Sequence, residues 1–127
     1  MYTPKSFQEN DRQAMLQLIQ QQPFALFIMI NAEGIPVATH IPIELQTGPD
    51  GAARLVGHVS KANPQAKFFG TNVPALAVFS GPHAYISSSW YDHINVPTWN
   101  YLAVHAYGKT RLLTADETLE QIGRAHV

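Results

Sequence analysis

The 127 residues suit a single domain: 46% are hydrophobic, enough for a sizeable core, while only 13% are charged, about half the usual share. Eight basic against nine acidic side chains leave a formal net charge of −1, so no global positive field argues for nucleic acid or an anionic membrane. With no cysteine, disulfides, thiolate metal sites and thiol catalysis are excluded together, and a reducing compartment is compatible.

Taken in chain order, the first residues place no basic side chain ahead of an apolar stretch, so no signal peptide is expected. Ser6 and Glu9 have capping-box spacing. Met15, Leu16, Ile19 and the aliphatic part of Gln22 then recur at helical spacing until Pro23 stops the helix. Phe24 to Ile30 is a continuous apolar run of strand formers, too short to cross a bilayer, ended by Asn31 and a turn at Glu33-Gly34. A cytoplasmic protein without a membrane partner is the expectation. Val37 to Leu45 alternates, with Val37, Thr39, Ile41, Ile43 and Leu45 on one face and Ala38, His40, Pro42 and Glu44 on the other. Pro42 lacks an amide donor, which predicts an edge strand or a bulge there. A third strand is predicted over Ala53 to Ser60, with Arg54, Val56, His58 and Ser60 on one face.

Asn63-Pro64 has the form of a helix cap followed by proline at the first helical position, and Gly70 that of a left-handed stop after Phe69. Pro74 to Phe79 reads as a strand, Ser80-Gly81-Pro82 as a turn, Ala84 to Ile86 as extended and Ser87 to Pro97 as an aromatic loop. Trp99 to Leu113 is the longest strand candidate, with a bulge or bend expected at Gly108. A second capping box, Thr114 to Glu117, opens a final helix carrying Leu119 and Ile122. Five or six hairpin-connected strands with a few helices predict a mainly β fold, a small antiparallel barrel.

Three groups of residues could carry chemistry. In Gly57 to Pro64 a strand hands Ser60 and Lys61 to a helix start, where free amides would hold an anion such as a phosphate; a capped connector with a solvated lysine is the alternative. His40 with Glu44, and His58 on the neighbouring strand, would line one cleft if the two strands pair; each histidine alone is also an ordinary surface or core residue. No H-x-x-x-H or H-E-x-x-H pairing supports a metal. Both tryptophans, Trp90 and Trp99, lie in the aromatic stretch from Tyr85 to Tyr101, interleaved with Ser, Thr and Asn. That mixture suits either a flat heterocycle or a dimer seam. Ser60 to Leu113 holds four basic residues against one acidic, whereas Met1 to Val59 holds three against five. The positive half is the one that contains the anion candidate.

Six motifs together carry a family resemblance: Met1-Tyr2-Thr3-Pro4, Thr39-His40-Ile41-Pro42, Gly57-His58 through Asn63-Pro64, Tyr85 to Tyr91, Val96-Pro97-Thr98-Trp99-Asn100-Tyr101, and Val104-His105 before Gly108. Over residues 1 to 121 the chain resembles the PaiB family, FMN-binding proteins described as negative transcriptional regulators, which look like members of the flavin-binding split-barrel superfamily. The resemblance implies an antiparallel split β-barrel, a homodimer and FMN at the subunit interface. It implies that Thr39, His40 and Ile41 run along the flavin ring, that His58 and Val59 meet it from the adjoining strand, and that Ser60, Lys61 and Asn63 take the phosphate. Trp99 and Asn100 would come from the partner subunit or the barrel mouth. DNA enters only through the family's regulatory description, since the sequence has no helix-turn-helix pattern. A flavin-dependent oxidoreductase is the alternative function, and a cofactor-free dimerisation module a third.

Three departures stand out. Ser88 replaces the family's usual proline, Ser60-Lys61 replaces a usual alanine and arginine, and full-length members run on for several dozen residues. The implied domain is therefore residues 1–121, a barrel incomplete at its C-terminal end. Residues 122–127, Ile-Gly-Arg-Ala-His-Val, read like one frame of a sequencing adapter and are expected to be a non-native tail.

Overall fold

Helix α1, Arg12–Gln21, begins where the Asp11 carboxylate accepts the Gln13 amide at 2.9 Å and ends two residues before Pro23. In the computed structural model, residues 11–87, 89 and 97–113 are described; the Ser6–Glu9 capping box, most of the aromatic loop, the Thr114 helix and the 122–127 tail lie outside them. Five strands follow α1: β1 Phe24–Ile30, β2 Pro36–Thr47, β3 Ala53–Gly57, β4 Pro74–Ile86 and β5 Thr98–Lys109. They form one antiparallel sheet in the order β3-β2-β1-β4-β5. The sheet curls without closing: β3 and the end of β5 line the two sides of one cleft, yet they do not pair. This open, mainly antiparallel sheet is consistent with a split-barrel type of fold.

The β1–β2 hairpin turns at Gly34, whose φ of 80° is in the left-handed region that glycine tolerates best. The Asn31 side chain secures this turn by accepting the amides of Glu33 at 3.0 Å and Ile35 at 2.9 Å. The alternation expected along β2 is present: Ile41 and Ile43 are buried inward while His40, Pro42 and Glu44 are exposed. On that inner face Ala25, Ile41, Ile43, Ala77 and Phe79 form the core with Ile19 of α1, and Phe79 is wholly buried. The alanines leave room for α1 to approach the sheet closely.

Four sequence expectations need correction. The third strand stops at Gly57, not Ser60, and the cause lies in β2. The Ile43 amide bonds back to the Pro23 carbonyl, so the even-numbered residues of β2 turn their main chain toward β3. The ladder to β3 starts at Ile43↔Gly57; continued, it would next require a donor at Pro42, which has none. Pro42 accordingly sits inside a long strand that lies between β3 and β1, not in an edge strand, although at Pro42 itself only the Phe24 side is paired. Ser80-Gly81-Pro82 is not a turn: β4 runs on to Ile86, and the register against β5 shifts between Ser80 and His83 because one extra residue is absorbed as a bulge. Gly108 pairs in register with Ala75, so no bulge lies there.

Candidate functional site

The Asn63 region forms as the sequence suggests, in a tighter geometry. Asn63 caps a helix that is a five-residue 3-10 turn, Pro64–Phe68, by accepting the Gln65 amide at 2.9 Å. Gly70 follows with φ 79°. The turn is docked onto β1 and β2 by a residue that sequence reasoning passed over. Gln65 is only 1% exposed. Its Nε2 donates to the Val37 carbonyl at 2.7 Å and the Phe27 carbonyl at 3.2 Å, and its Oε1 accepts from Thr39 Oγ1 at 2.6 Å. Asn63 Nδ2 in turn donates to Thr39 Oγ1 at 3.0 Å. Every polar atom of the Gln65 amide group is matched, as burial at this depth requires. The available signal was a polar residue at i relative to Phe68 and Phe69 at i+3 and i+4, a core position of a helical turn.

This network brings Thr39 and Asn63 into contact and holds the chain leading to them, Ser60 and Lys61, beside the outer rim of β2. That rim has a particular chemistry. Since β3 stops at Pro42, the main-chain groups of Ala38 and His40 that point away from β1 have no strand beside them among the described residues. They are donors and acceptors in fixed positions. Ser60 and Lys61 are both exposed. Fewer free amides remain in the turn than a bare helix start would offer. The Ala62 amide donates to Ser60 Oγ at 3.2 Å, the Asn63 amide to the Ser60 carbonyl at 2.9 Å and the Ala66 amide to the Asn63 carbonyl at 2.9 Å, while Pro64 has none. An anion here would therefore meet the Lys61 ammonium and the Ser60 hydroxyl more than a crown of amides.

Immediately before the turn, His58 and Val59 line the cleft between β3 and β5, together with Ile41, Phe27 and Ala106. The cleft has a volume of about 600 Å³, within the range of sites that hold a cofactor-sized molecule. His40 is not among its lining residues. It stands exposed on the opposite face of β2, stacked on Phe24 with ring centroids 5.8 Å apart, so the two imidazoles do not share the cleft. Thr39 and Ile41 point inward and His40 outward, so the three side chains stand on opposite faces of β2.

Trp99 and Asn100 lie elsewhere. Thr39 is level, through Phe27 and Ala77, with Ala106 of β5, and Trp99 is seven residues farther along that strand, roughly 23 Å at about 3.3 Å per residue. Trp99 stacks on His83 at 5.4 Å and tilts toward Tyr85 at 6.0 Å, on a two-stranded ribbon that projects beyond β1. Asn100 is exposed opposite Ala84 on the same ribbon. One subunit does not bring these two residues to the Ser60–Asn63 turn.

The sheet's outer face is apolar as well. His40, Leu26, Val78 and His105 form one row across four strands, and Ala38, Ile28, Leu76 and Tyr107 the next. Both α1 and the 3-10 turn pack on the inner face, so this outer face is uncovered among the described residues. Among those residues no helix is long and apolar enough to cross a membrane, and no group of His, Asp or Glu could hold a metal.

Comparison with known proteins agrees with this architecture. Residues 1–126 match the family described as "Putative FMN-binding domain". The chain is 41% identical over 122 residues to "Protease synthase and sporulation protein PAI 2" of Bacillus subtilis (strain 168), covering 96% of this chain and 58% of that protein. It is 32% identical over 85 residues to the uncharacterized protein YKL070W of Saccharomyces cerevisiae, covering 63% of this chain and 50% of the relative. Against the uncharacterized protein AN0679 of Emericella nidulans it is 30% identical over 143 residues, covering 88% of this chain and 57% of the relative. The chain thus spans between half and three-fifths of the length of these relatives.

Proposed function

Because the chain belongs to the FMN-binding domain family, with its cofactor FMN, we propose that it binds FMN where the rim of β2 meets the Ser60–Asn63 turn. The observation that carries this reading is the bond from Asn63 to Thr39, which fixes an exposed lysine and hydroxyl beside unpaired main-chain donors and acceptors. The fit is chemical at three points. The Lys61 ammonium and Ser60 hydroxyl suit a phosphate. The groups of Ala38 and His40 suit the polar edge of a flavin ring, which itself has donors and acceptors. Ile41 and Val59 supply apolar lining in the adjoining cleft, with the His58 imidazole beside them. When bound, FMN supplies redox chemistry or a structural wedge; the protein's own residues hold and orient it.

The working unit in this reading is a homodimer with FMN at the interface. The apolar outer face of Leu26, Ile28, Leu76 and Val78 supports it, since a contiguous apolar surface favours burial. The separation of Trp99 and Asn100 from the turn supports it too, because a partner's ribbon can reach where the same chain's ribbon does not. Negative control of transcription, as in the PaiB family, is the role proposed for the flavin-bound protein. Helix α1 has Arg12 as its one basic side chain and thus no basic face of its own.

The test is reconstitution. Purified protein incubated with FMN and desalted should retain flavin absorbance near 1 FMN per chain. A colourless protein would remove the reading. Retention of DNA by the full-length flavoprotein without steady NADH or NADPH oxidation supports regulation, whereas sustained turnover would replace it with the oxidoreductase alternative.

A further inference from the structure

The buried residue Gln65 has no place among the ligands proposed above, yet its side chain is bonded at every polar atom. Four hydrogen bonds converge on it, from its own amide to Asn63 Oδ1 and through its side chain to Thr39, Val37 and Phe27. Two of these partners are main-chain carbonyls of β1 and β2. Gln65 is therefore the point at which the 60–65 segment is referenced to the sheet. Asn63 and Thr39 are each tied to Gln65, and the Asn63 amide holds the carbonyl of Ser60. A continuous chain of bonds runs from the sheet backbone to the residue that carries the exposed hydroxyl, with Lys61 beside it.

We propose that Gln65 is the positioning residue of the flavin phosphate turn: it places Ser60 and Lys61 against the rim of β2 and so sets the preference for FMN over riboflavin. The inference rests on the FMN reading above. Riboflavin has the same ring and ribityl chain without the phosphate, so it reports the ring site alone. Replacing Gln65 by leucine keeps the bulk and removes the side-chain donors and acceptor, so the Phe27 and Val37 carbonyls lose the bond from the turn and the Thr39 hydroxyl loses its acceptor. The turn then loses its reference to the sheet while the rim at Ala38 and His40 stays in the β1–β2 ladder.

The experiment titrates the full chain with FMN and, separately, with riboflavin, following flavin fluorescence at a temperature where circular dichroism shows each variant folded. Gln65→Leu should weaken FMN about tenfold or more, the size of a misplaced charge-assisted contact, and leave riboflavin within about twofold. Phe79→Leu, which loosens the core near α1, serves as the control for general destabilisation. Should Gln65→Leu fail to fold, Thr39→Val removes two bonds of the chain, those to Gln65 and from Asn63, and is expected to shift the FMN to riboflavin ratio in the same direction. An equal fall for both flavins, matching Phe79→Leu, would mean that Gln65 is only structural and would overturn the proposal. An unchanged ratio overturns it as well. If the wild-type protein binds FMN and riboflavin equally, the phosphate is not held by the turn and the role of Gln65 falls with that placement. If it binds neither, the FMN reading itself has failed.

Discussion

Removing the Asn63 side chain tests the architecture of the turn independently of any flavin. In Asn63→Ala two bonds disappear: the cap to the Gln65 amide, 2.9 Å, and the donation to Thr39 Oγ1, 3.0 Å. Loss of a side-chain cap costs about 1 kcal/mol. Loss of a partly buried hydrogen bond costs about 1 kcal/mol more. The expected destabilisation is therefore about 2 kcal/mol, if the two contributions add. Asn63→Ser separates them, because serine caps nearly as well but its short side chain does not extend to Thr39; it should cost about 1 kcal/mol. Urea unfolding monitored by circular dichroism measures both. With a slope of about 2 kcal/mol per molar, the alanine midpoint should fall by about 1 M and the serine midpoint by half of that. If the alanine variant unfolds at the wild-type midpoint, the network does not dock the turn and the reasoning built on it is wrong. If serine and alanine are equally damaging, the cap carries nothing.

Other outcomes follow from the same architecture. Lys61→Ala should weaken FMN binding by about 1–3 kcal/mol, with Lys61→Arg retaining most of it, as read by fluorescence titration. Gly34→Ala should destabilise the β1–β2 hairpin by about 1 kcal/mol because φ there is 80°, with nothing within 4 Å to clash, so Gly34→Asn should recover part of the loss in thermal melts. Phe79→Ala should cost about 3–5 kcal/mol, since the ring is wholly buried between α1 and the sheet, and its urea midpoint should fall farther than that of any turn variant. Ile28→Glu, on the outer sheet face, should leave the monomer folded and shift sedimentation from dimer to monomer; an unshifted dimer would exclude that face as the seam.

Much of the fold could be read one strand at a time. The alternation from Val37 to Leu45 assigned both faces of β2, and Asn63-Pro64 marked a cap that the structure contains. What escaped is information that one segment holds about another. Gly81-Pro82 has the composition of a turn, but β5 opposite it continues unbroken, and the mismatch is absorbed as a bulge. The end of β3 depends on Pro42, some fifteen residues away in the partner strand. In the site, Ser60, Lys61 and Asn63 were visible because hydroxyl, ammonium and cap are chemical signals. Gln65 was not, because a glutamine looks like a surface residue until two backbone carbonyls from other strands are found above it. The amides of the turn were misjudged for the same reason: which donors are already engaged is decided by how the loop folds onto itself.

Pro42 contributes through an incapacity. Any other residue at this position would have a hydrogen to offer, and the zipper between β2 and β3 could run on past Gly57 toward the hairpin. By refusing the next bond, proline stops the sheet from sealing its own margin and keeps a stretch of polypeptide available to something other than protein. What is displayed there is peptide geometry, common to all side chains, so Ala38 and His40 are free to drift in identity without altering it. Mutations that abolish recognition at this margin should concentrate at the residue that prevents closure, and hardly at all at the residues that form the surface.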